Sequence, residues 1–412
     1  MRYRSIRLPG GNPERLATRD IQSIENALTS RWINNGPILD ATERQWWKEE
    51  IDDLSMGKNT VMYDDKFNPS VMVKIPRFNC EDVLVGSGAT PHPAFVINGQ
   101  VKDAIHIAKY QCTYSGSGAA LRAISLRFRD PGAYITFDNA LLACKQKGPG
   151  WHLTTNAEWA ALALWCKKQG LMPRGNNNYG QDHAVAAEKG IPSYYYLSGE
   201  TKYIGRTYTG TGPRSWSHDG SLFGIYDLNG NVWEWVGGLR LSVGEIQIIP
   251  DNDAADNTKD QTAGSALWKA VLQDGSLVAP GTAGTLKFDS PVSGDGVGAE
   301  NLGAPKLNTV ITNSMNPDPA SNANYDYGYT TFETLAAQAG VTVPNLLKLL
   351  GVAKIDASHG ADGLYVRNYG ERLPIRGGRW GNTSAAGVFA LNLSDLRSNS
   401  NNNIGFRAAF VI

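Results

Sequence analysis

The sequence predicts an α+β protein, and three observations carry that expectation. Two stretches repeat apolar residues at helical spacing: Phe137, Ala140, Leu141 and Cys144, then Trp159, Leu162, Ala163 and Cys166. Short extended runs precede them at Val71–Pro76, Ala94–Ile97 and Ile105–Tyr110. Long stretches rich in Gly, Asn, Ser and Tyr follow and read as irregular loops. Helices grouped beside short strands, rather than alternating with them, argue for α+β. At 412 residues and 42% hydrophobic content, the chain can build two or three structural units around a sizeable core.

Residues 1–88 read as an N-terminal helical region. In the first helix Ala17, Ile21, Ile24 and Leu28 form a narrow apolar seam, and Asn34-Asn35-Gly36-Pro37 breaks it. The second helix starts at Asp40 with Glu43 three residues on, a capping-box-like signal, and Trp47, Ile51 and Leu54 share a face. This region is a candidate for attachment or oligomerisation; the simpler expectation is that it packs on the next domain. Residues 89–239 carry the first part of that domain. Thr136 opens one helix and Gly148-Pro149-Gly150 ends it. Thr155 and Glu158 form a capping box for the next. Gly175 to Gly238 is loop-rich. Residues 240–360 read as an insertion, ending in a short helical stretch with Pro344, Leu346, Leu347 and Leu350. Strand signals resume at Gly363-Leu364-Tyr365-Val366, so 361–412 is the C-terminal part of the domain.

The totals exclude several function classes. A formal net charge of +0 and a pI near 7.0 argue against generic nucleic-acid or anionic-membrane binding, which basic patches drive. No apolar run approaches the ~20 residues of a membrane helix. The start, MRYRSIRLPGGNPER, has no apolar core of a secretory signal. Cys80, Cys112, Cys144 and Cys166 are too sparse for a disulfide framework or a zinc motif.

The tail from Arg376 to Ile412 has two rigid ends and an unusual middle. Arg376-Gly377-Gly378 with Trp380 opens it, and Ile404-Gly405-Phe406-Arg407 closes it. Each end joins glycine, for close backbone approach, to an aromatic anchor. Between them lie Gly381, Asn382, Ser384, Ala385, Asn392, Ser394, Asp395, Asn399 and Asn401–Asn403. Such residues build a core poorly and hydrogen-bond adaptably, the composition of a binding face. The bland alternative is a loop that merely closes the domain.

Three signatures occur in order: Trp151-His152-Leu153-Thr154-Thr155-Asn156-Ala157-Glu158-Trp159, then Gly224 to Trp235, then Arg376-Gly377-Gly378-x-Trp380 with Gly405-Phe406-Arg407. Together they resemble the formylglycine-generating-enzyme-like, or sulfatase-modifying-factor, branch of the C-type lectin fold. The resemblance covers roughly residues 90–239 and 361–412. It implies a small, twisted, largely antiparallel sheet with two helices and long loops. Fold alone does not give function. The oxidising enzymes of this branch use a cysteine pair between the RGG and the terminal Phe-Arg, where a thiolate can hold copper or exchange with substrate. This chain has no cysteine after Cys166, so no enzyme activity is expected; a formylglycine-generating-type oxidoreductase is the alternative. The iron-dependent sulfoxide synthases of the same branch need clustered histidines, whereas His92, His106, His152, His183, His218 and His359 are dispersed. Asp227 and Glu234 could form a catalytic pair; the structural alternative makes Glu234 a buried acceptor and Asp227 a turn residue. No cofactor is expected. The resemblance leaves room for structural calcium on Asn231 and Glu234, with a hydrogen-bonding role the favoured reading.

The tail itself resembles the variable proteins of diversity-generating retroelements, which end in RGG-x-W, AGVFALNL, RS-x-SN and IGFR. In those systems template adenines are corrupted, so an Asn codon can become any NNY codon, none of which is a stop. Gly381, Ala385, Ser394 and Asp395 are reachable this way and sit among Asn382, Asn392 and Asn399. The resemblance implies a non-enzymatic binding protein whose hypervariable face recognises a protein or glycan receptor on a cell surface. Recognition is assigned to Arg379, Gly381, Asn382, Ser384, Ala385, Phe389, Asn392, Ser394, Asp395 and Asn399. Arg376, Trp380, Phe406 and Arg407 are scaffold. The expected setting is a virion, as a phage receptor-binding or tail component attached through the N-terminal region. A bacterial surface adhesin and a cytoplasmic location are the alternatives.

Overall fold

The computed structural model describes residues 20–412; Ala17 of the predicted seam lies outside them. Helix α1 (Ile21–Asn35) is capped by Asp20, whose carboxylate accepts from the Ser23 amide at 2.8 Å. It ends at Gly36, φ 68°, a conformation that favours glycine. Asp40 caps α2 (Ala41–Leu54). The predicted capping box there is only half formed. The Glu43 carboxylate turns away from Asp40 and takes a bidentate bond from Arg31 of α1, at 2.7 and 3.0 Å. A fork-shaped guanidinium outcompetes a single backbone amide for that carboxylate. Both helices pack on the domain: Ile21, Ile24, Leu28, Trp47 and Ile51 join Val61, Val71, Tyr110 and Trp216 in one core cluster. The Glu25 carboxylate seals the contact, meeting Lys109 Nζ at 2.7 Å and the Tyr110 hydroxyl at 2.5 Å, all fully buried.

Helices α3 (Phe137–Lys145) and α4 (Asn156–Gln169) form where the apolar spacing places them. Thr155 Oγ1 accepts from the Glu158 amide while Glu158 accepts from the Thr155 amide, a complete capping box. The strands that position the tail are, in chain order, β1 (Asn59–Tyr63), β2 (Pro69–Pro76), β3 (Ala104–Ala108), β4 (Trp151–Leu153), β5 (Trp233–Trp235), β6 (Leu239–Ser242), β7 (Glu245–Ile248), β8 (Gly328–Thr331), β9 (Gly363–Val366), β10 (Glu371–Gly377), β11 (Gly387–Asp395), β12 (Ile404–Phe406) and β13 (Ala408–Phe410).

The α+β class holds, but the strands are not one small sheet. The first sheet runs β1-β2-β3-β13-β4, antiparallel throughout, with Ala409 opposite both Ile107 and His152. The second runs β8-β9-β11-β10-β6-β7 and continues through strands at 287–289, 306–308 and 336–337. Its β9–β11 and β5–β12 pairs are parallel. The sheet is larger than expected because residues 240–360 pair onto it: the β6–β7 hairpin joins β10, and Glu245 pairs with Lys287. Strands left at an open edge expose unpaired amides, so further pairing is favoured.

Two core clusters sandwich the second sheet. Phe389, Leu391 and Leu393 face the cluster built on α4, whereas Ala390, Ile375, Trp233 and Trp235 face the cluster built on α3. Strand alternation produces this split. Between the two sheets runs a buried ion pair. Arg407 Nε and Nη2 donate to Glu234 at 3.0 and 2.8 Å. The same guanidinium donates to the carbonyls of Ala108 (2.8 Å) and Tyr226 (2.9 Å), and Gln111 Nε2 donates to Glu234 at 3.0 Å.

Asp227 of the second signature sits at φ 65° and accepts from the Gly210 amide at 2.9 Å. Burial pushes its carboxyl up to about 6, from an ordinary 3.8. The folded chain therefore holds this proton more tightly than the unfolded one, and stability falls as pH rises from about 4 to about 6.

Two outcomes follow from these buried groups. Glu234→Ala strands the Arg407 charge and is expected to lower unfolding free energy by about 3–5 kcal/mol in denaturant titration. Asp227→Asn keeps the acceptor and tolerates positive φ. Relative to the parent, it is expected to gain on the order of 3 kcal/mol as pH is raised across that window; parallel pH slopes for the two proteins would contradict this.

Candidate functional site

The tail's two rigid ends are built as the residue types require. Arg376 is buried with no carboxylate beside it among the described residues. It donates to Asn156 Oδ1 at 2.6 Å and to the Gly351 carbonyl at 2.9 Å, and burial pulls its pKa down to about 9. Gly377 and Gly378 have φ of 91° and 85°. A Cβ on Gly378 would lie 2.5 Å from that of Ala386, so the turn into the tail requires glycine there. Trp380 is 2% exposed and packs near Tyr194 and Tyr196. At the other end β12 pairs parallel with the Trp233 strand, and Arg407 enters the ion pair with Glu234.

Between these ends the structure gathers a polar cavity of about 250 Å³. Its floor follows from strand register. Tyr365, Asn392 and Ile375 are direct cross-strand partners on β9, β11 and β10. Trp233 and Ile404 are partners on β5 and β12, and Trp235 pairs with Ile375. Register shifts in the β10–β11 pair, on both sides of the Ile375–Arg376 stretch, open the strands at this point. Trp233 stands perpendicular to Tyr365, centroids 6.1 Å apart. Arg379, Asn382, Asp395, Asn399, Asn401 and Asn403 complete the lining.

Half of the predicted recognition residues meet here: Arg379, Asn382, Asn392, Asp395 and Asn399. Gly381 lies outside the cavity beside Tyr179, and Ser384 and Ala385 lie on the short turn Thr383–Ala385, with Ser384 exposed. Ser394 is nearly buried, its hydroxyl donating to Asn392 Oδ1 at 2.6 Å. Phe389 is corrected outright. It is 1% exposed and packs against Phe332 and His359, because alternation along β11 turns it to the same inner side as Leu391 and Leu393. The aromatic floor was missed as a site. Trp233 lies in a stretch that reads as loop-rich and Tyr365 in one that reads as strand, and only their register shows that they share a surface.

The asparagines also shape their own backbone. Asn382 Oδ1 accepts from the Arg379 amide at 2.9 Å, Asn392 Oδ1 from the Ser394 amide at 2.8 Å, and Asn401 Oδ1 from the Asn402 amide at 2.7 Å. Asn399 bonds the Asp395 carboxylate. Burial raises the Asp395 pKa, while the Asn399 bond and the charges of Arg367 and Arg372 oppose the rise. Burial likewise pushes the Tyr365 hydroxyl up to about 12. Tyr327 and Tyr329 extend the aromatic floor from Tyr365, and Tyr179, Tyr196 and Tyr203 form a second cluster near Arg379 and Trp380.

The other candidate chemistry is taken up by structure. Asn231 Oδ1 accepts from the Thr207 amide (2.8 Å) and Asn176, while its amide donates to Gln111 and Thr207. Both Glu234 oxygens are engaged by Arg407. His152 Nδ1 donates to the Gly150 carbonyl (3.0 Å), and its Nε2 bonds the Glu158 carboxyl (2.9 Å). All four cysteines are buried free thiols; burial pushes Cys112 up to about 11 and Cys166 up to about 12, away from thiolate chemistry. Among the described residues no group of three or more His, Cys, Asp or Glu could hold a metal ion, and no helix is long and apolar enough to cross a membrane.

The geometry separates tail positions that can vary from those that cannot. A Cβ at Gly387 would strike the buried Asp362 carboxylate, whereas one at Gly381 meets the flexible end of Arg379 at 2.9 Å and the tip of the Tyr179 side chain at 3.2 Å. Gly387→Ala is expected to cost about 1–3 kcal/mol, and Gly381→Ser less than about 0.5 kcal/mol. Denaturant melts of the two variants give this ordering or its reverse.

Comparison with known proteins places part of the chain. Residues 48–244 match the Sulfatase-modifying factor enzyme 1-like domain. The match begins within α2 and so includes β1 and β2, which lie beside β3 in the first sheet. No curated protein matches the chain. Two solved structures are similar at 12% identity. Treponema denticola variable protein 1 aligns over 85% of this chain and 98% of its own, with a TM-score of 0.31. The Major Tropism Determinant P3c variant aligns over 83% of this chain and 63% of its own, less than two thirds, with a TM-score of 0.28. At TM-scores this low neither likeness carries an argument about function. The family match over residues 48–244 and the two-sheet architecture agree on the fold: it is α+β, the C-type lectin fold of the formylglycine-generating-enzyme type, and residues 48–244 are similar to the sulfatase-modifying factor enzyme 1-like domain.

Proposed function

We propose that this chain is a non-enzymatic binding protein whose C-terminal face recognises a protein or glycan receptor on a cell surface. One observation carries the reading: residues of the tail that resembles retroelement-diversified proteins converge on a single open polar cavity with an aromatic floor. Aromatic surface supplies contact area at low entropic cost, and amides around it supply adaptable hydrogen bonds. The buried thiols and the fully engaged Glu234 and His152 leave little for the enzyme alternative. In the finer form of the proposal the tail is diversified by a retroelement and the chain is a phage receptor-binding component on the virion. The solvent faces of α1 and α2 then hold it to the particle. The contact set is Arg379, Gly381, Asn382, Ser384, Ala385, Asn392, Ser394, Asp395 and Asn399, with Asn401 and Asn403.

Deep sequencing of the 3′ end of the gene across a population tests the proposal. Substitutions are expected at Arg379, Asn382, Asn392, Asp395, Asn399, Asn401 and Asn403, with Trp233, Tyr365, Gly387 and Arg407 constant and a template copy with a reverse transcriptase nearby. A uniform tail removes the retroelement reading. The double variant Arg379→Ala, Asn403→Ala tests binding itself: adhesion of the parent to cells is expected to be lost with little change in melting temperature, and retained adhesion would overturn the proposed face.

A further inference from the structure

A second cleft, of about 900 Å³, lies away from the tail cavity. Its walls are the end of α1, the turn at Gly36-Pro37, the β1–β2 loop and the hairpin that pairs Thr113–Ser115 with Arg122–Ile124. Two properties set it apart. Its floor is apolar, with Trp32 and the half-exposed Ile33 facing Ala119 and Ala120. Its only charged lining residues among those described are cations: Lys66, Arg122 and Arg129.

These cations are not equally satisfied. Arg122 is consumed internally, donating to Asp65 at 3.2 Å, Gln146 at 2.7 Å and the Ala119 and Leu121 carbonyls. Among the described residues Lys66 pairs only with Asp65, at 3.8 Å, and its side chain is 67% exposed. Arg129 has no carboxylate partner among the described residues. Its guanidinium lies 5.5 Å from the Trp32 ring centroid, and its Nε is buried with no hydrogen-bond partner. The neighbouring acids are taken: Arg206 binds Asp130 at 2.7 Å, and Asp64 accepts from Asn68 and the Lys66 amide. The Arg129 side chain as a whole is half-buried and lines the cleft, so its charge stands there without a neutralising carboxylate among the described residues.

We propose that this cleft docks an acidic segment of a partner polypeptide, with carboxylates on Arg129 and Lys66 and an apolar side chain over Trp32 and Ile33. The charge imbalance selects an anion. The volume and the apolar floor select a chain carrying side chains over a small inorganic ion, which would leave Trp32 and Ile33 uncovered. Two cations, Arg129 and the loosely paired Lys66, are too few to track a nucleic-acid backbone. The segment would be held against α1, leaving the tail cavity free, so the chain has one fixed docking site and one recognition face. This inference is independent of the tail's function.

Panning a displayed library of random peptides against the full chain tests it. Enriched peptides are expected to carry at least two Asp or Glu beside an aliphatic or aromatic residue. They should bind the Lys66→Glu, Arg129→Glu variant about ten-fold or more weakly, with affinity falling as salt rises. The neutral pair Lys66→Gln, Arg129→Gln, with its melting curve, serves if charge reversal disturbs folding, and an intermediate loss is expected there. Enriched peptides without acidic residues, equal binding to parent and variants, or no enrichment over the charge-reversed protein would each overturn the proposal.

Discussion

The buried pair between Glu234 and Arg407 is the interaction on which the rest of the molecule depends. It joins the second signature to the end of the tail, and its hydrogen bonds reach the carbonyls of Ala108 on β3 and Tyr226 in the long loop. A charge pair out of water stabilises little by itself, yet losing either member leaves the other stranded. It therefore acts as a constraint on register. With Arg407 held, β13 lies between β3 and β4, and β12 lies beside β5. The chain's last strand thus closes the first sheet, and the tail must travel across the second sheet to reach it.

That route is what makes a face. Because β11 alternates, Phe389, Leu391 and Leu393 anchor it on one side while Asn392 looks the other way, toward Tyr365 and Ile375. The anchors are long-range and apolar, so they do not depend on what stands at position 392. The asparagines are less independent of their surroundings. Asn382, Asn392 and Asn401 each hold a local turn with the same side chain that lines or borders the cavity. Arg379 has no hydrogen bond to maintain among the described contacts of its side chain and sits over Trp380. Substitution at Arg379 therefore changes the surface alone, whereas substitution at an asparagine changes both surface and loop shape.

Residues 240–360 stabilise this arrangement from behind. They extend the second sheet through Glu245 and Lys287, and they bring a short helix, Asn345–Leu349, against the start of α4. Arg376 bridges the two, bonding Asn156 and the Gly351 carbonyl, and a histidine from the first half, His92, bonds the Leu349 carbonyl at 3.0 Å. Polar groups buried without water must meet one another. The opening of the tail is therefore fixed by contacts to parts of the chain more than 200 residues apart in sequence.

Much of this was legible in the residues alone. Helical spacing and caps located α1 to α4, since those signals are local: an oxygen at the cap and an apolar repeat act within one or two turns. The glycines at 377 and 378 and the composition of the tail single it out as a candidate face from the residues alone. Tertiary structure decided the remainder. Whether Glu43 closed its own box or reached Arg31 depended on how two helices met. Phe389 could not be separated from the exposed tail residues, because the side of a strand that faces inward is set by its register with distant partners. The cavity floor has the same origin. Trp233 and Tyr365 stand more than 100 residues apart, and only the pairing of β5 with β10 and of β9 with β11 puts them under one set of asparagines.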